Sequence, residues 1–576
     1  METLTETAPR ELAEHSAELI LSYLNRYRRD FREITRAAAR WFRDRDWAAA
    51  RAGPHRRVQL YPDTVVELTK ALRVKMGARY LDRDLWHEIK AAYAREIANR
   101  ADEELSETFF NSVTRQVFKT TGFDRELEFV WLDNTLLPSG EESPIFKSWF
   151  PVGSVARMVS SILQACPVEG RWKDRDGDAV RVAQRIGDHL RVRSGMQDFD
   201  SVELVEEVLY RGKSAYLVGR IRRGHRILPL VLALVHDPEG VCVDAVVLSE
   251  FEVSTIFSFT RSYFMVDIER PSELVGFLRA LLPSKPLEEL YISLGYTKHG
   301  KTVRYRGLYR HLEQSVDKFE VAPGAKGMVM AVFHLPGHHL VFKVIRDRFA
   351  APKTTTRERV HETYRLVHAH DRVGRLVDAQ EYERLRFPAH RFSKEVLEEL
   401  LEECGRVVRE VDGEIVIEQL WIERKVHPLN LYVHEVDEQL AFEAVIDHGQ
   451  SIKDMAAVGL FPGDLLVKNF GVTRRGRVVF YDYDEIIPLV ECRFRRMPQG
   501  DGYGAEPTVV AGDKDIFPEE LRYFLWGTPK LRKKFEEHHS DLFTVEWWRS
   551  MQETIRRGDV PDIFPYPPER RLSFGD

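Results

Sequence analysis

The sequence predicts an α+β protein of two domains, and three observations lead there. The chain has 576 residues, too many for one hydrophobic core. Its first ~130 residues carry apolar side chains at helical spacing. Two later blocks, starting near residues 205 and 319, alternate Val- and Leu-rich runs with turn residues.

In chain order, Leu12, Leu19, Tyr23, Tyr27, Phe31, Ile34, Ala38 and Trp41 recur mostly at steps of three or four and predict one helix over residues 10–50. Asp63–Lys75 and Arg83–Ala101 read as further helices. In "SAYLVGRIRRGHRILPLVLALVHDPEGVCVDAVVLSE" three apolar runs are separated by "RRGHR" and "HDPEG", which predicts a small antiparallel sheet. Ser272–Leu282 follows as a helix with Ser272 as its cap. The second block, "FEVAPGAKGMVMAVFHLPGHHLVFKVIRD", reads as strand, glycine turn, strand, turn, strand. Helices over Thr356–Ala379 and Ser393–Val411, the strand "EIVIEQLWIE", a helix near Glu435–Gly449 and the strand "RVVFYDYDEI" complete the pattern. The boundary falls near residue 310, giving domains 1–310 and 311–576.

Composition narrows the function classes. Hydrophobic residues make up 43%, charged residues 31%, and the formal net charge is -6. No basic excess marks a nucleic-acid binder. The nine-residue run "ILPLVLALV" is too short to span a bilayer as a helix, and the polar start "METLTETAPRELAEH" is not a signal peptide. Four scattered cysteines with no CxxC fit reduced thiols in a cytoplasmic protein.

The chemistry concentrates in the second half. In Ala322–Met330, Gly324 and Gly327 allow backbone N–H groups to approach phosphate oxygens, or make a plain hairpin turn. Lys343, on the strand "HHLVFKVIRD", is a point charge for phosphates or a solvated strand lysine. Such a lysine calls for an orienting helix carboxylate, and Glu358 and Glu362 stand one turn apart on the next helix. In "FPGDLLVKN", Asp464 is suited to orient an attacking hydroxyl, Lys468 to touch a transferring phosphoryl group, and Asn469 to offer a carbonyl oxygen to Mg²⁺. Thirteen residues beyond Asn469, Asp482 supplies a second hard oxygen ligand. Asp484 is a further ligand or a solvated acid. Glu418–Leu420 present backbone groups to adenine or sit in a buried strand. Arg493, Arg495 and Arg496 suit phosphoserine recognition or a solvated edge, and the stretch Gln499–Phe517 suits a docking loop.

Asp464-x4-Asn469 followed by Asp482 has the layout of a protein-kinase catalytic loop and metal-binding aspartate, with Pro462-Gly463-Asp464 in place of His-Arg-Asp. "VAPGAKGMVMAVF", "VFKVIRDRFAAPKTTTR", "FPGDLLVKNFGV" and "VVFYDYDEI" resemble the bacterial isocitrate dehydrogenase kinase/phosphatase family, over the whole chain. The resemblance implies an N-terminal regulatory domain and a bilobal, protein-kinase-like catalytic domain. It implies ATP-dependent phosphorylation of a serine of NADP-dependent isocitrate dehydrogenase, and removal of that phosphate in a reaction that needs bound ADP or ATP. AMP is the implied allosteric effector. The resemblance also assigns ATP binding to Ala322, Pro323, Gly324, Ala325, Lys326, Gly327, Met328 and Lys343, and the phosphatase activity to Asp378. From its residues alone, Asp378 reads as an exposed acid beside Arg372 and Arg375. A nucleotide-sensing protein without catalysis and a small-molecule kinase are the competing readings.

Overall fold

A computed structural model describes residues 9–130, 145–194, 198–258, 263–324, 326–350, 353, 355–370, 373–497, 512, 514–559 and 564–572. Its contacts divide the chain into two compact units. One holds the residues up to Gln314 together with those from Phe564 onward, and the other runs from Ser315 to Ile563.

The first unit opens with four helices, α1 (Pro9–Arg43), α2 (Trp47–Met76), α3 (Arg83–Ile97) and α4 (Glu103–Phe118). The single helix expected over residues 10–50 is broken at Arg45, whose φ of 56° lies outside the helical region. Asp46 then caps α2, accepting from Ala49 N at 3.0 Å. The apolar stripe of α1, with Ile20, Leu24 and Phe31 buried, packs into a core with Trp86, Tyr93, Phe109 and Phe110. Each such side chain contributes about 1.5–3 kcal/mol of burial.

A sheet of six strands follows. These are β1 (Phe146–Trp149), β2 (Ser201–Val205), β3 (Leu209–Arg211), β4 (Ser214–Arg223), β5 (Arg226–Asp237) and β6 (Gly240–Val247), in the order β1-β2-β4-β5-β6 with β3 on β4. The three predicted runs are β4, β5 and β6, paired antiparallel. Helices α5 (Val155–Ala165) and α6 (Arg175–His189) join the sheet's second apolar cluster. Helices α7 (Glu250–Ile256), α8 (Pro271–Leu281), α9 (Leu287–Ser293) and α10 (Thr297–Gln314) complete the unit. The cap expected at Ser272 is corrected here: Pro271 opens α8 at its first turn, where its missing N–H costs nothing.

The second unit begins with β7 (Glu320–Val321), β8 (Met330–His334) and β9 (Leu340–Ile345). Next come α11 (Arg357–His370), β10 (Gln380–Pro388), α12 (Lys394–Glu403), β11 (Val408–Val411) and β12 (Glu414–Arg424). Their sheet runs β10-β12-β9-β8-β7, with β11 on β12. The helices predicted over Thr356–Ala379 and Ser393–Val411 are both shorter than expected, because the tail of each pairs as strand or extended chain. Beyond β12 the chain forms β13 (His427–Pro428), α13 (Leu429–Glu435), α14 (Glu438–Ala457) and β14 (Leu460–Phe461). It continues through β15 (Phe470–Val472), β16 (Val478–Phe480) and β17 (Ile487–Pro488), and the helices α15 (Leu521–Phe524), α16 (Pro529–His539) and α17 (Val545–Arg556) pack into the same core. A strand-rich lobe is thus followed by a helix-rich one.

Candidate active site

Two short pairings bring the polar residues of the helix-rich lobe together. β15 and β16 form a hairpin with Phe470 opposite Phe480. The thirteen-residue spacing is the length of this hairpin, which sets Asn469 beside the residues just past Phe480. β14 pairs with β17 and ties the start of the Asp464 loop to the segment after Asp484. Gly463 fits between them only as glycine: its φ is 80°, and a Cβ there would collide with the Glu485 carbonyl oxygen.

A chain of direct bonds links the predicted residues. Asp464 Oδ1 accepts from Leu466 N at 2.9 Å and its carbonyl accepts from Asn469 Nδ2 at 3.3 Å. Asn469 O accepts from Tyr481 N at 3.1 Å. Lys343 Nζ donates to Tyr481 O at 2.7 Å. Lys468 is exposed, and its carbonyl accepts from the Tyr481 hydroxyl. Asp482 lies two residues past β16. Burial first, and then Asp484, which shares a hydrogen bond with it, push its carboxyl well above the usual carboxylate range. Asp484 is buried, not solvated, and Lys353 Nζ bridges it at 3.2 Å and Glu485 at 2.6 Å.

Lys343 has a carboxylate partner, but not one of the expected pair. Its Nζ lies 2.7 Å from Glu423 Oε2, with both side chains nearly inaccessible. On β12 Trp421 stands opposite Lys343, so Glu423 is the diagonal neighbour on the same face. Glu362 instead pairs with Arg359 at 3.2 Å on the surface of α11, and Glu358 bonds Thr356 at the exposed start of that helix. Burial raises the Glu423 carboxyl above its ordinary range against the pull of Lys343, and Asp378 adds to the rise.

That coupling places Asp378 within electrostatic reach of the Lys343–Glu423 pair. Asp378 is buried, not exposed, and lies past the end of α11 in an extended segment. Val377 N donates to Phe480 O at 3.0 Å and Phe480 N to Arg375 O at 2.7 Å, which aligns 375–378 with β16. Arg375 does not pair with Asp378. It reaches α14, at 2.7 Å from both Asp447 and Asp454. Gln380 Nε2 donates to Asp378 Oδ1 at 2.6 Å. Arg372 lies outside the described residues.

The glycine turn connects β7 to β8. Gly324 has φ 119°, and a Cβ there would meet Pro428 at 3.8 Å, so the turn folds toward the link between the lobes. At Gly327 a Cβ would come within 2.7 Å of Met330 O. Arg346 Nε holds Gly327 O at 3.0 Å, and Lys326 pairs with Glu399 and Glu403 of α12 at 3.3 and 3.2 Å. Ala322 N donates to Val332 O at 3.1 Å. Pro323 and Met328 flank the glycines, and Ala325 is outside the described residues.

Glu418 and Leu420 lie inside the sheet. Leu420 is buried opposite Tyr382 of β10, while Glu418 N donates to Val407 O at 2.8 Å and its carboxylate pairs with Arg409. The strand leaves the sheet later, after Arg424, and Lys425–Pro428 carry the chain to α13. Sequence reasoning missed Glu423, Lys353 and Gln380. An acid on the same strand face as Trp421, two residues on in "LWIE", was the available signal for the first. Arg495 and Arg496 are engaged by Asp515 and Glu546, and most of Gln499–Phe517 is outside the described residues.

Among the described residues, no three His, Cys, Asp or Glu side chains converge as an all-protein metal cage, and none of the helices is long and apolar enough to cross a membrane. Asn469 and Asp482 offer hard oxygens only. That donor set fits Mg²⁺, which binds through one or two protein carboxylates and completes its shell with water and phosphate.

Two family models match the chain. "Isocitrate dehydrogenase kinase/phosphatase (AceK), regulatory domain" covers residues 17–316, and "Isocitrate dehydrogenase kinase/phosphatase (AceK) kinase domain" covers 317–568. A curated isocitrate dehydrogenase kinase/phosphatase of Anaeromyxobacter sp. (strain Fw109-5) is 46% identical over 571 residues, 98% of this chain and 99% of that protein. Those of Xanthomonas campestris pv. campestris (strain 8004) and Acidovorax sp. (strain JS42) are 41% and 40% identical, each covering at least 95% of both chains.

Proposed function

Because the chain belongs to the isocitrate dehydrogenase kinase/phosphatase family, we propose that it phosphorylates a serine of NADP-dependent isocitrate dehydrogenase with ATP and also removes that phosphate. The phosphorylated dehydrogenase is inactive, so the balance of the two reactions directs isocitrate into the glyoxylate bypass or back to the citric acid cycle. Residues 1–310 act as the regulatory domain and 311–576 as the catalytic one, in a cytoplasmic protein. AMP shifts the balance allosterically.

The observation that carries this reading is the hydrogen-bonded run Lys343–Tyr481–Asn469–Asp464. It joins a strand lysine to a loop acid and amide in the order a phosphoryl-transfer site needs. In the kinase direction the 322–328 turn covers the phosphates and Lys343 holds them as a point charge. Adenine lies against Lys425–Pro428, where the backbone leaves the sheet. Asp464 orients the serine hydroxyl and accepts its proton, and Lys468 offsets charge on the moving phosphoryl group. Asn469 and Asp482 hold Mg²⁺, which when bound neutralises phosphate charge. Catalysis of this kind is mainly positioning and electrostatics.

In the phosphatase direction ADP or ATP stays in the cleft. Asp378, held by Gln380, takes a proton from the attacking water.

Transfer of radiolabelled γ-phosphate from ATP to isocitrate dehydrogenase tests the proposal. The wild type labels the dehydrogenase serine, and Asp464→Ala lowers the rate at least 100-fold. Asp378→Ala lowers release of phosphate from the labelled protein far more than it lowers labelling. Label in a metabolite instead would establish a small-molecule kinase. Nucleotide binding without any transfer would establish a sensor.

A further inference from the structure

The Lys343–Glu423 pair departs from the arrangement a strand lysine ordinarily has. We infer that Glu423, acting from the neighbouring strand, is the residue that positions Lys343 for nucleotide, and that this pairing is built into the sheet and does not depend on α11. The inference rests on the proposed role of Lys343 in ATP binding.

Three observations carry it. First, the contact is direct and buried. Nζ and Oε2 are 2.7 Å apart, and the two side chains are 8% and 3% exposed. Second, both residues sit on strands whose pairing is continuous, Leu340–Lys343 of β9 against Trp421–Arg424 of β12. The two backbones that carry the pair therefore separate only if the sheet comes apart. Third, the acids on α11 are committed elsewhere or exposed, Glu362 with Arg359 and Glu358 at the helix start. When a helix supplies the carboxylate, displacing the helix breaks the ion pair and switches catalysis off. Here the same displacement leaves the pair intact.

Lys343 Nζ is held from two sides, by Glu423 and by Tyr481 O at 2.7 Å. The second of these belongs to the segment that carries Asp482. Glu423 thus fixes one end of a bridge between the strand-rich lobe and the proposed metal-binding residues. Because nucleotide is retained in both directions of the proposed reaction, Glu423 serves kinase and phosphatase alike, unlike Asp378.

The test is a double-mutant cycle on the full-length chain. Kinase kcat and KM for ATP, and the phosphatase rate, are measured for wild type, Glu423→Gln, Lys343→Met and the double variant. A positioning residue acting through Lys343 gives a 10- to 100-fold fall in kcat for Glu423→Gln in both directions. It gives no further loss when added to Lys343→Met. Additive losses in the double variant, or wild-type rates in Glu423→Gln, would overturn the inference. Glu423→Asp, which keeps the charge and shortens the reach, covers the case in which Glu423→Gln does not fold. It is expected to fold and lose activity about three- to tenfold, and full activity would overturn the inference. Glu358→Ala and Glu362→Ala are expected to change both rates less than twofold, and a tenfold loss from either would return the role to α11. If Lys343→Met itself keeps full activity, the underlying ATP-site reading has failed, an outcome separable from each of the others.

Discussion

At the scale of single residues, Asp482 shows most directly how a site is prepared at the expense of stability. Its carboxyl is half-buried beside Asp484 and held well above the ordinary range by loss of solvent and by that neighbour, although Lys343 and Lys353 pull the other way. The unfolded chain ionises this group near pH ~3.9. Above that pH the folded protein retains a proton that the unfolded chain has lost. The group's contribution to stability is therefore intact below the unfolded pKa and falls as pH rises toward the folded one. Asp482→Asn carries the neutral form at every pH. In metal-free buffer it is expected to melt higher than wild type at pH 7, with the difference vanishing below about pH 4, while kinase activity is lost. Thermal melts across that range check the sign, and a variant that melts lower at pH 7 would contradict it. Gly463 shows the complementary economy: one glycine supplies both the left-handed turn and the close passage of Glu485 O.

At the scale of elements, short pairings do the positioning. The 373–378 segment forms no regular strand, yet it is fixed on one side by backbone bonds to Phe480 and on the other by Arg375, which grips Asp447 and Asp454 of α14. Arg375→Met leaves both acids without this partner. Asp447 keeps 29% exposure, so the expected loss is about 2–4 kcal/mol, at or below the fully buried figure. Chemical denaturation measures it, and the phosphatase rate should fall more than the kinase rate because Asp378 ends this segment. These elements also mark where sequence reading stopped. The helix periods of α1 and α3 and the alternating runs of β4–β6 were legible because one face of each is buried against a core. The Asp464-x4-Asn469 and Asp482 spacing was legible because a hairpin fixes it. The end of α11 was not, since Val373, Leu376 and Val377 keep the three- and four-residue spacing of a helix face and only the pairing of this segment with β16 makes it extended. Glu423 was hidden for a related reason: a diagonal partner across two strands depends on register, and register is a tertiary fact.

At the scale of the whole molecule, the chain enters the second unit at Ser315 and returns to the first at Phe564, a return that no composition shift in the sequence announces. What draws it back is Asp244 on β6, a carboxylate with 5% exposure. Tyr566 donates its hydroxyl to Asp244 at 2.7 Å, Arg571 approaches it at 2.7 Å, and Leu572 N donates to its carbonyl at 2.6 Å. Arg570 adds a bond to Glu252 on α7 at 2.7 Å. Ending the chain at Gly558 removes all of these and leaves a buried acid without the tail's donors, a loss of about 3–5 kcal/mol. Unit 1 spans roughly 330 residues, and at about 2.1 cal/mol/K of unfolding entropy per residue each kcal/mol moves its melting temperature by about 1.5 °C, so the loss corresponds to roughly 4–7 °C. Calorimetry of the truncated chain should therefore show one transition shifted down by that amount. The transition belonging to Ser315–Ile563 should stay in place, since its cores contain none of the tail residues. Asp244→Asn in the truncated chain removes the stranded charge and should recover part of the loss. Truncation without any shift would mean that the tail is only laid on the surface, and that Asp244 is satisfied from within the sheet.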